Sequence, residues 1–384
     1  MSSSKINVFV FVDALGWDLI ENSEFLTDIL PHRKPLRMQF GYSSSAIPTI
    51  LSGKRPAEHG HLGLFRYAPE ESPFKAISST LSFLRPTSFW HRGRIRNWIS
   101  KFVKLVLGFT GYFQLYNVSD KKLAYMDYCE KKDLFLPKGM EDIPNLADML
   151  IAKKVSHHIS DWHLTDAARF EIAMEEIRKG KDFVFLYTCE LDALRHQRGA
   201  KVQERLAWYA ERLKKLHSVL LESGREFSLS IFSDHGMTPL TKTIDIMAAI
   251  EKTGLVFGTD YGAFYDSTMF RVNYLKPGVK EKIEDAMGLF VLDGHWLTQE
   301  EERAEGIYRE DRSFGDRIFL VNPGIQIVPS DMGTSPLNAM HGYSPDDIHS
   351  LAMMLSTDPL PDYLVGVWNV FQMMQDKIDA SKQN

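Results

Sequence analysis

Apolar residues fall along this chain in two rhythms. Ile6 to Val12 (INVFVFV), Phe183 to Thr188 (FVFLYT) and Ser228 to Phe232 (SLSIF) are short runs rich in β-branched and aromatic residues. Such runs read as strands buried on both faces. Asp166 to Lys179 precedes the second run and Val202 to Leu221 precedes the third, and both have the spacing of amphipathic helices. Strands alternating with helices predict an α/β fold, with a mostly parallel central sheet and helices on both faces. The first run leads into Asp13, the second into Glu190, Asp192 and His196, the third into Asp234 and His235. In open α/β sheets ligands bind beyond the carboxyl ends of the strands. Three strand ends therefore deliver carboxylates and imidazoles to one edge of the sheet.

Two stretches break this rhythm. From Arg85 to Asn117 the chain carries Arg85, Arg92, Arg94, Arg96, Lys101 and Lys104, many aromatics and no acidic residue. Ile95, Trp98, Ile99, Phe102, Val103, Val106 and Leu107 recur at helical spacing and form one apolar face. That face either packs an insertion onto the main domain, or belongs to a cap or surface helix touching anionic substrate or lipid headgroups. The cap or insertion is assigned to positions 85–140. Positions 259–324 show weaker periodicity and several turns, compatible with a small second lobe. No repeat, low-complexity tract or clear linker divides the chain, so 1–384 reads as a single catalytic domain.

Composition narrows the partners. A chain of 384 residues can bury a large core without disulfide staples. Its two cysteines, Cys129 and Cys189, fit a reducing compartment better than a disulfide framework. A formal net charge of −5 gives no general pull toward nucleic acid, and no nucleic-acid module is recognisable. The apolar run after Lys5 is too short for a secretory leader and ends on Asp13, and no stretch is long and apolar enough to span a bilayer. The expectation is a cytoplasmic enzyme, with membrane-surface contact left open by the basic segment.

Asp13, Asp192, His196, Asp234, His235 and His341 offer three carboxylates and three imidazoles. This mixed set suits zinc, with manganese or iron as alternatives. Six ligands exceed what one catalytic zinc takes, and two ions ~4 Å apart suit phosphoryl chemistry. Taken singly, a carboxylate after a strand is an ordinary turn former. Ser233-Asp234-His235-Gly236-Met237 is more specific, because an Asp–His pair before glycine directly after a strand implies a shared task. In the segment from Gly41 to Gly63, three serines precede a short helical pattern with Pro48 inside and Gly53 at its end. A hydroxyl there sits where helix amides favour an anion, although the same serines could simply cap the helix.

In this order the motifs resemble the alkaline-phosphatase superfamily, and within it the type I phosphodiesterase/nucleotide pyrophosphatase branch. The resemblance rests on Phe11 to Trp17, Ser43 to Gly60, Asp192 to Gly199, Ser233 to Met237 and Met340 to Tyr343. It implies one metal site of Asp192, His196 and His341 and another of Asp13, Asp234 and His235. The nucleophile of the family lies ten residues before the glycine of a [ST]-G pair, here Ser52-Gly53, which selects Ser43, with Ser44 and Ser45 as fallbacks. His59 is expected to shape its loop rather than bind metal. Ser44 and Ala46 are the candidate substrate-binding positions. Two departures matter: the branch usually has threonine where this chain has Ser43. Its nucleotide pyrophosphatases carry asparagine where this chain has Ala46, which counts against nucleotides unless another group donates.

The resemblance implies a metal-dependent phosphodiesterase or pyrophosphatase, with a phosphoseryl intermediate on Ser43 and two divalent ions, zinc first and manganese second. Its substrate would be a phosphate-ester small molecule or a glycan- or lipid-linked ester. A phosphomonoesterase, a phosphonate-ester hydrolase, or a phosphotransferase to a sugar or lipid alcohol would use the same site. An inactive scaffold would be expected to have lost ligands. Glu190 and the stretch Asp266-Ser267-Thr268 receive no role from the sequence.

Overall fold

The computed structural model describes residues 5–78, 93–197 and 201–383. Arg85, Arg92 and Gly199 therefore lie outside the described residues. Ten strands matter here: β1 (Ile6–Val12), β2 (His32–Leu36), β3 (His157–Ile159), β4 (Phe183–Thr188), β5 (Phe227–Phe232), β6 (Tyr261–Tyr265), β7 (Met269–Tyr274), β8 (Gly294–Trp296), β9 (Arg317–Val321) and β10 (Ala352–Ser356). The helices that cover or flank them include α1 (Ser43–Ser52), α2 (Gly93–Leu107), α3 (Asp166–Arg178), α4 (Glu190–Gln197), α5 (Lys201–Glu222) and α6 (Val370–Gln383).

The central sheet has the order β2-β10-β5-β1-β4-β3. Strands β5, β1, β4 and β3 pair in parallel, and β10 runs antiparallel to both β5 and β2. This is the α/β class expected from the alternation of strands and helices. Every residue of β1 is buried. Its side chains alternate between two cores because successive strand residues point to opposite faces. Ile6, Val8, Val10 and Val12 pack with α3 and α5. Phe9 and Phe11 pack with α1 and α6 on the other face. The aromatic side of the sheet thus supports the helix that carries Ser43.

Register then sets where the chemistry falls. Phe11 is level with Tyr187 on one neighbour and with Phe232 on the other. Asp13, the turn into α4, and the Ser233–His235 segment consequently leave the sheet at the same height. Phe11 stacks on Phe232 at 5.0 Å between ring centroids and lies 4.9 Å from Tyr187. Its truncation would leave a cavity in a dry core directly beneath the site. Phe11→Ala is expected to cost about 3–5 kcal/mol, measured as a lower urea midpoint with an unchanged slope.

A second, antiparallel sheet has the order β6-β7-β9-β8, with its own apolar cluster around Phe270, Phe319 and Tyr343. The turn between β6 and β7 carries Asp266, Ser267 and Thr268. Cys129 and Cys189 are both free thiols.

The insertion segment departs from the single apolar face expected of it. Val103 of α2 is fully buried and Ile99 and Leu107 pack beside it, but Trp98, Phe102 and Val106 are exposed. Polar groups fix this rotation of the helix. The Arg96 guanidinium donates to the carbonyls of Tyr116 and Val118, and Ser100 Oγ accepts the Leu115 amide at 3.0 Å. Satisfying a buried cation and hydroxyl on the inner side turns part of the apolar stripe outward.

Candidate active site

Each site residue is placed by a local backbone device. Ala14, next to Asp13, adopts a left-handed conformation with φ of 60°. Its amide donates to Asp234 Oδ1 at 3.2 Å and its carbonyl accepts from Arg195 at 2.9 Å. These bonds hold a conformation that costs a non-glycine residue energy. Gly236, after the Asp–His pair, packs against the chain at His349, whose carbonyl oxygen would lie 2.0 Å from a Cβ at that position. Only glycine fits, which explains the third residue of that motif. Asp192 and His196 stand one turn apart on α4 and so share a face.

Ser43 is the first residue of α1, and Tyr42 in extended conformation precedes it. Ser43 Oγ does not cap the helix. It lies 3.1 Å from His235 Nε2. Ser45 Oγ donates to the carbonyls of Phe40 and Tyr42, which makes it a structural hydroxyl, whereas Ser44 is buried at the cavity wall. Ala46 is not brought to the cavity; it packs in the core with Phe9 and Ile50. Three residues into the helix, its methyl group points toward the sheet. His59 bonds Thr49 Oγ1 at 3.0 Å and accepts the His61 amide, a loop-shaping role away from the ligand cluster.

The six candidate ligands converge in two groups. Asp192, His196 and His341 form one, matching the triad expected from the sequence. The other gathers Asp13, Asp192 and His235, so Asp192 stands in both. Asp234 adjoins this second group, with Oδ2 3.3 Å from His235 Nε2. Asp192 thus lies between the His196–His341 pair and the group of Asp13, Asp234 and His235. His235 and His341 stack at 3.7 Å between ring centroids.

The donor set fits divalent cations. Asp13 Oδ1, Asp192 Oδ1, Asp234 Oδ2 and His341 Nδ1 are buried without a hydrogen-bond partner. Burial, then the charges of Asp234 and Asp192, push the Asp13 carboxyl well above the usual range. Burial likewise raises Asp234. Carboxylates crowded in this way need positive charge to remain ionised. His235 Nδ1 donates to the Gly236 carbonyl at 2.7 Å and His196 Nδ1 to that of Ala339 at 2.9 Å. Each bond leaves Nε2 as the lone-pair donor, the usual orientation of ligating histidines. Burial, then His235 and His196, hold His341 well below its ordinary value, hence neutral.

Several supporting residues carried no signal in the sequence. Tyr187 donates to Asp13 Oδ2 at 2.7 Å from the aromatic side of β4. Thr268 bonds the Tyr42 hydroxyl at 2.7 Å and the Gly342 carbonyl at 2.6 Å, tying the start of α1 to the His341 loop. Gly342 allows this approach, with φ of 89° and no room for a side chain beside Tyr42. Glu190 accepts the Asp166 amide and pairs with Arg205 at 3.0 Å, bracing α3 against α5.

A cavity of about 970 Å³ opens over the cluster. Asp13, Ser43, Asp192, His196 and His341 form its floor, and Tyr112, Tyr116, Phe135 and Trp162 contribute aromatic walls. Part of the 85–140 segment thus reaches the site. Among the described residues no lysine or arginine lines the cavity. Arg96, Lys101 and Lys104 of the insertion are not among its lining residues.

Glu130 also lines the cavity, and burial, aided by Asp133, pushes its carboxyl up to about 8. A carboxyl raised on folding contributes stability that is complete below its unfolded value and lost as pH rises through the folded one. Glu130→Gln is therefore expected to gain stability relative to the parent as pH rises from the ordinary carboxylate range to about 8. The gain amounts to roughly 1.4 kcal/mol per pKa unit of the shift. Thermal melts across that window measure it, and parallel curves would contradict it.

Fold and site together define a phosphoesterase of the alkaline-phosphatase superfamily. The chain belongs to the type I phosphodiesterase/nucleotide pyrophosphatase family, whose model matches residues 7–344, and it is a hydrolase acting on phosphate esters. No curated protein matches the sequence. Among solved structures, murine ectonucleotide pyrophosphatase/phosphodiesterase 5 aligns with a TM-score of 0.67 at 14% identity, covering 98% of this chain and 95% of that one. One of those structures is an inactive variant in complex with AMP. The human form aligns with a TM-score of 0.68 at 12% identity over the same shares. These likenesses establish the fold, and the family is one of generally divalent-metal-dependent enzymes.

Proposed function

We propose that the chain hydrolyses phosphate diesters through a covalent intermediate on Ser43, with two divalent cations held by Asp13, Asp192, His196, Asp234, His235 and His341. The observation that carries this reading is Ser43 Oγ at 3.1 Å from His235 Nε2, at the floor of the cavity, with the buried carboxylates of Asp13 and Asp234 and the half-buried one of Asp192 gathered around that histidine. Bound cations would offset phosphate charge and favour ionised hydroxyl groups at neutral pH, with zinc first and manganese second by donor type.

The chain's own groups do the rest. The start of α1 holds Ser43 Oγ 3.1 Å from His235 Nε2, among the groups that would hold a cation. The α1 amides, at the positive end of the helix, face the phosphoryl oxygens. Ser43 Oγ forms a bond to phosphorus as the bond to the first alcohol breaks. Water then cleaves the serine–phosphorus ester, which frees the monoester and restores the hydroxyl. Tyr187 holds Asp13 in place throughout.

The cavity favours a diester over a monoester. Its volume admits a second substituent, and its aromatic walls suit a flat or apolar one. The absence of lysine and arginine from its described lining disfavours substrates with additional phosphates. AMP occupies a relative, but here Ala46 supplies no donor, so a nucleotide would have to be held by other groups.

The test compares hydrolysis of bis(p-nitrophenyl) phosphate and p-nitrophenyl phosphate by zinc- or manganese-loaded protein. Faster diester cleavage is expected. Faster monoester cleavage would replace this reading with a phosphomonoesterase.

A further inference from the structure

The outward face of α2 is unlike the rest of the surface. Trp98, Phe102, Leu105 and Val106 are 78%, 60%, 79% and 54% exposed. Their spacing places them on one stripe of a fifteen-residue helix. Single exposed apolar residues are ordinary, whereas a contiguous stripe of large ones marks a contact surface. The opposite side is anchored by Val103 and by the Arg96 and Ser100 hydrogen bonds, so the stripe is held in this orientation.

Charge identifies what the stripe meets. The chain is acidic overall, yet no acidic residue occurs from Arg85 to Asn117. Lys101, beside the stripe, is exposed and pairs with no carboxylate among the described residues. Lys104, half-buried, lies 5.4 Å from the centroid of the Trp162 ring, at the cavity wall. Two copies docked by this face would bring like charges together, which disfavours self-association.

We propose that α2 is an interfacial helix that seats the protein on an anionic lipid surface. Trp98, Phe102, Leu105 and Val106 enter the boundary between headgroups and acyl chains, and Lys101 meets lipid phosphates. Tyr112, Gln114 and Tyr116, which follow the helix, line the cavity, so docking would hold the catalytic cleft next to the membrane. The inference does not depend on the diester reading.

The test is co-sedimentation of the full chain with vesicles of phosphatidylcholine containing about 30 mol % phosphatidylglycerol, against phosphatidylcholine alone. Binding to the anionic vesicles, weakened by salt, is expected, with a blue shift of tryptophan emission that Trp98→Phe diminishes. Trp98→Ser combined with Phe102→Ser is expected to lower partitioning roughly tenfold or more, and Lys101→Glu to lower it on anionic vesicles only. Trp98→Phe should bind as the parent does, and all variants should keep activity on a soluble diester. Equal partitioning of parent and double variant would overturn the proposal, as would no binding to either vesicle. A dimer in solution that the double variant converts to monomer would assign the face to self-association instead.

Discussion

Ser43→Ala is expected to lower the turnover of a phosphate diester roughly 1,000-fold or more, with almost no change in thermal stability. The separation of these effects follows from the helix start. Ser43 Oγ makes no capping bond and points to His235, so its removal takes away the attacking atom and little else. Ser45→Ala supplies the contrast. It deletes a hydroxyl that donates to Phe40 and Tyr42, and is expected to cost about 1 kcal/mol of stability while retaining most activity. Ser43→Thr keeps a hydroxyl and should retain measurable turnover. Comparable activity in the parent and Ser43→Ala would remove the covalent scheme.

Asp192→Asn is expected to abolish activity and metal retention together. Asp192 stands in both candidate ligand groups among the described residues, so its loss is expected to reach both proposed sites. A fall in bound metal from two ions toward none, by elemental analysis, and a loss of turnover of roughly 100-fold or more are expected. Stability should respond with the opposite sign when no metal is present. Asp192 is one of the charges that, after burial and Asp234, push the Asp13 carboxyl upward. Removing it relieves repulsion, so metal-free Asp192→Asn should be at least as stable as the metal-free parent. A variant that kept both ions would show that Asp192 is not shared.

Much of this was legible because buried parallel strands leave a plain imprint. The runs Ile6–Val12 and Phe183–Thr188 coincide with β1 and β4, and the third differs from β5 by one residue at its start. All three lie side by side at the centre of the sheet, where both faces must be apolar. The convergence of the candidate ligands was legible because three strands end on carboxylates and imidazoles at one edge of the sheet, one of them in an Asp–His–Gly turn. What the pattern concealed were pairings between distant segments. Tyr187 sits in an apolar run and reads as core, yet its hydroxyl reaches Asp13. Thr268 gains its role only when the β6–β7 turn folds against Tyr42. Glu190 lies beside the ligands in sequence but turns away to Arg205.

The two largest differences have one cause, the competition between apolar spacing and polar satisfaction. In α2 the demands of Arg96 and Ser100 outweigh the burial of Trp98 and Phe102. At Ala46 the reverse holds: a position expected from the resemblance to face substrate carries a methyl group that fills the core.

The most direct test of the central claim is the stereochemical course at phosphorus. A phosphorothioate diester of known configuration would be hydrolysed in ¹⁸O-enriched water and the chirality of the product read. Two successive in-line displacements, first by Ser43 and then by water, give net retention, which is the expected result. Inversion would mean that water attacks phosphorus directly and that Ser43 forms no covalent intermediate.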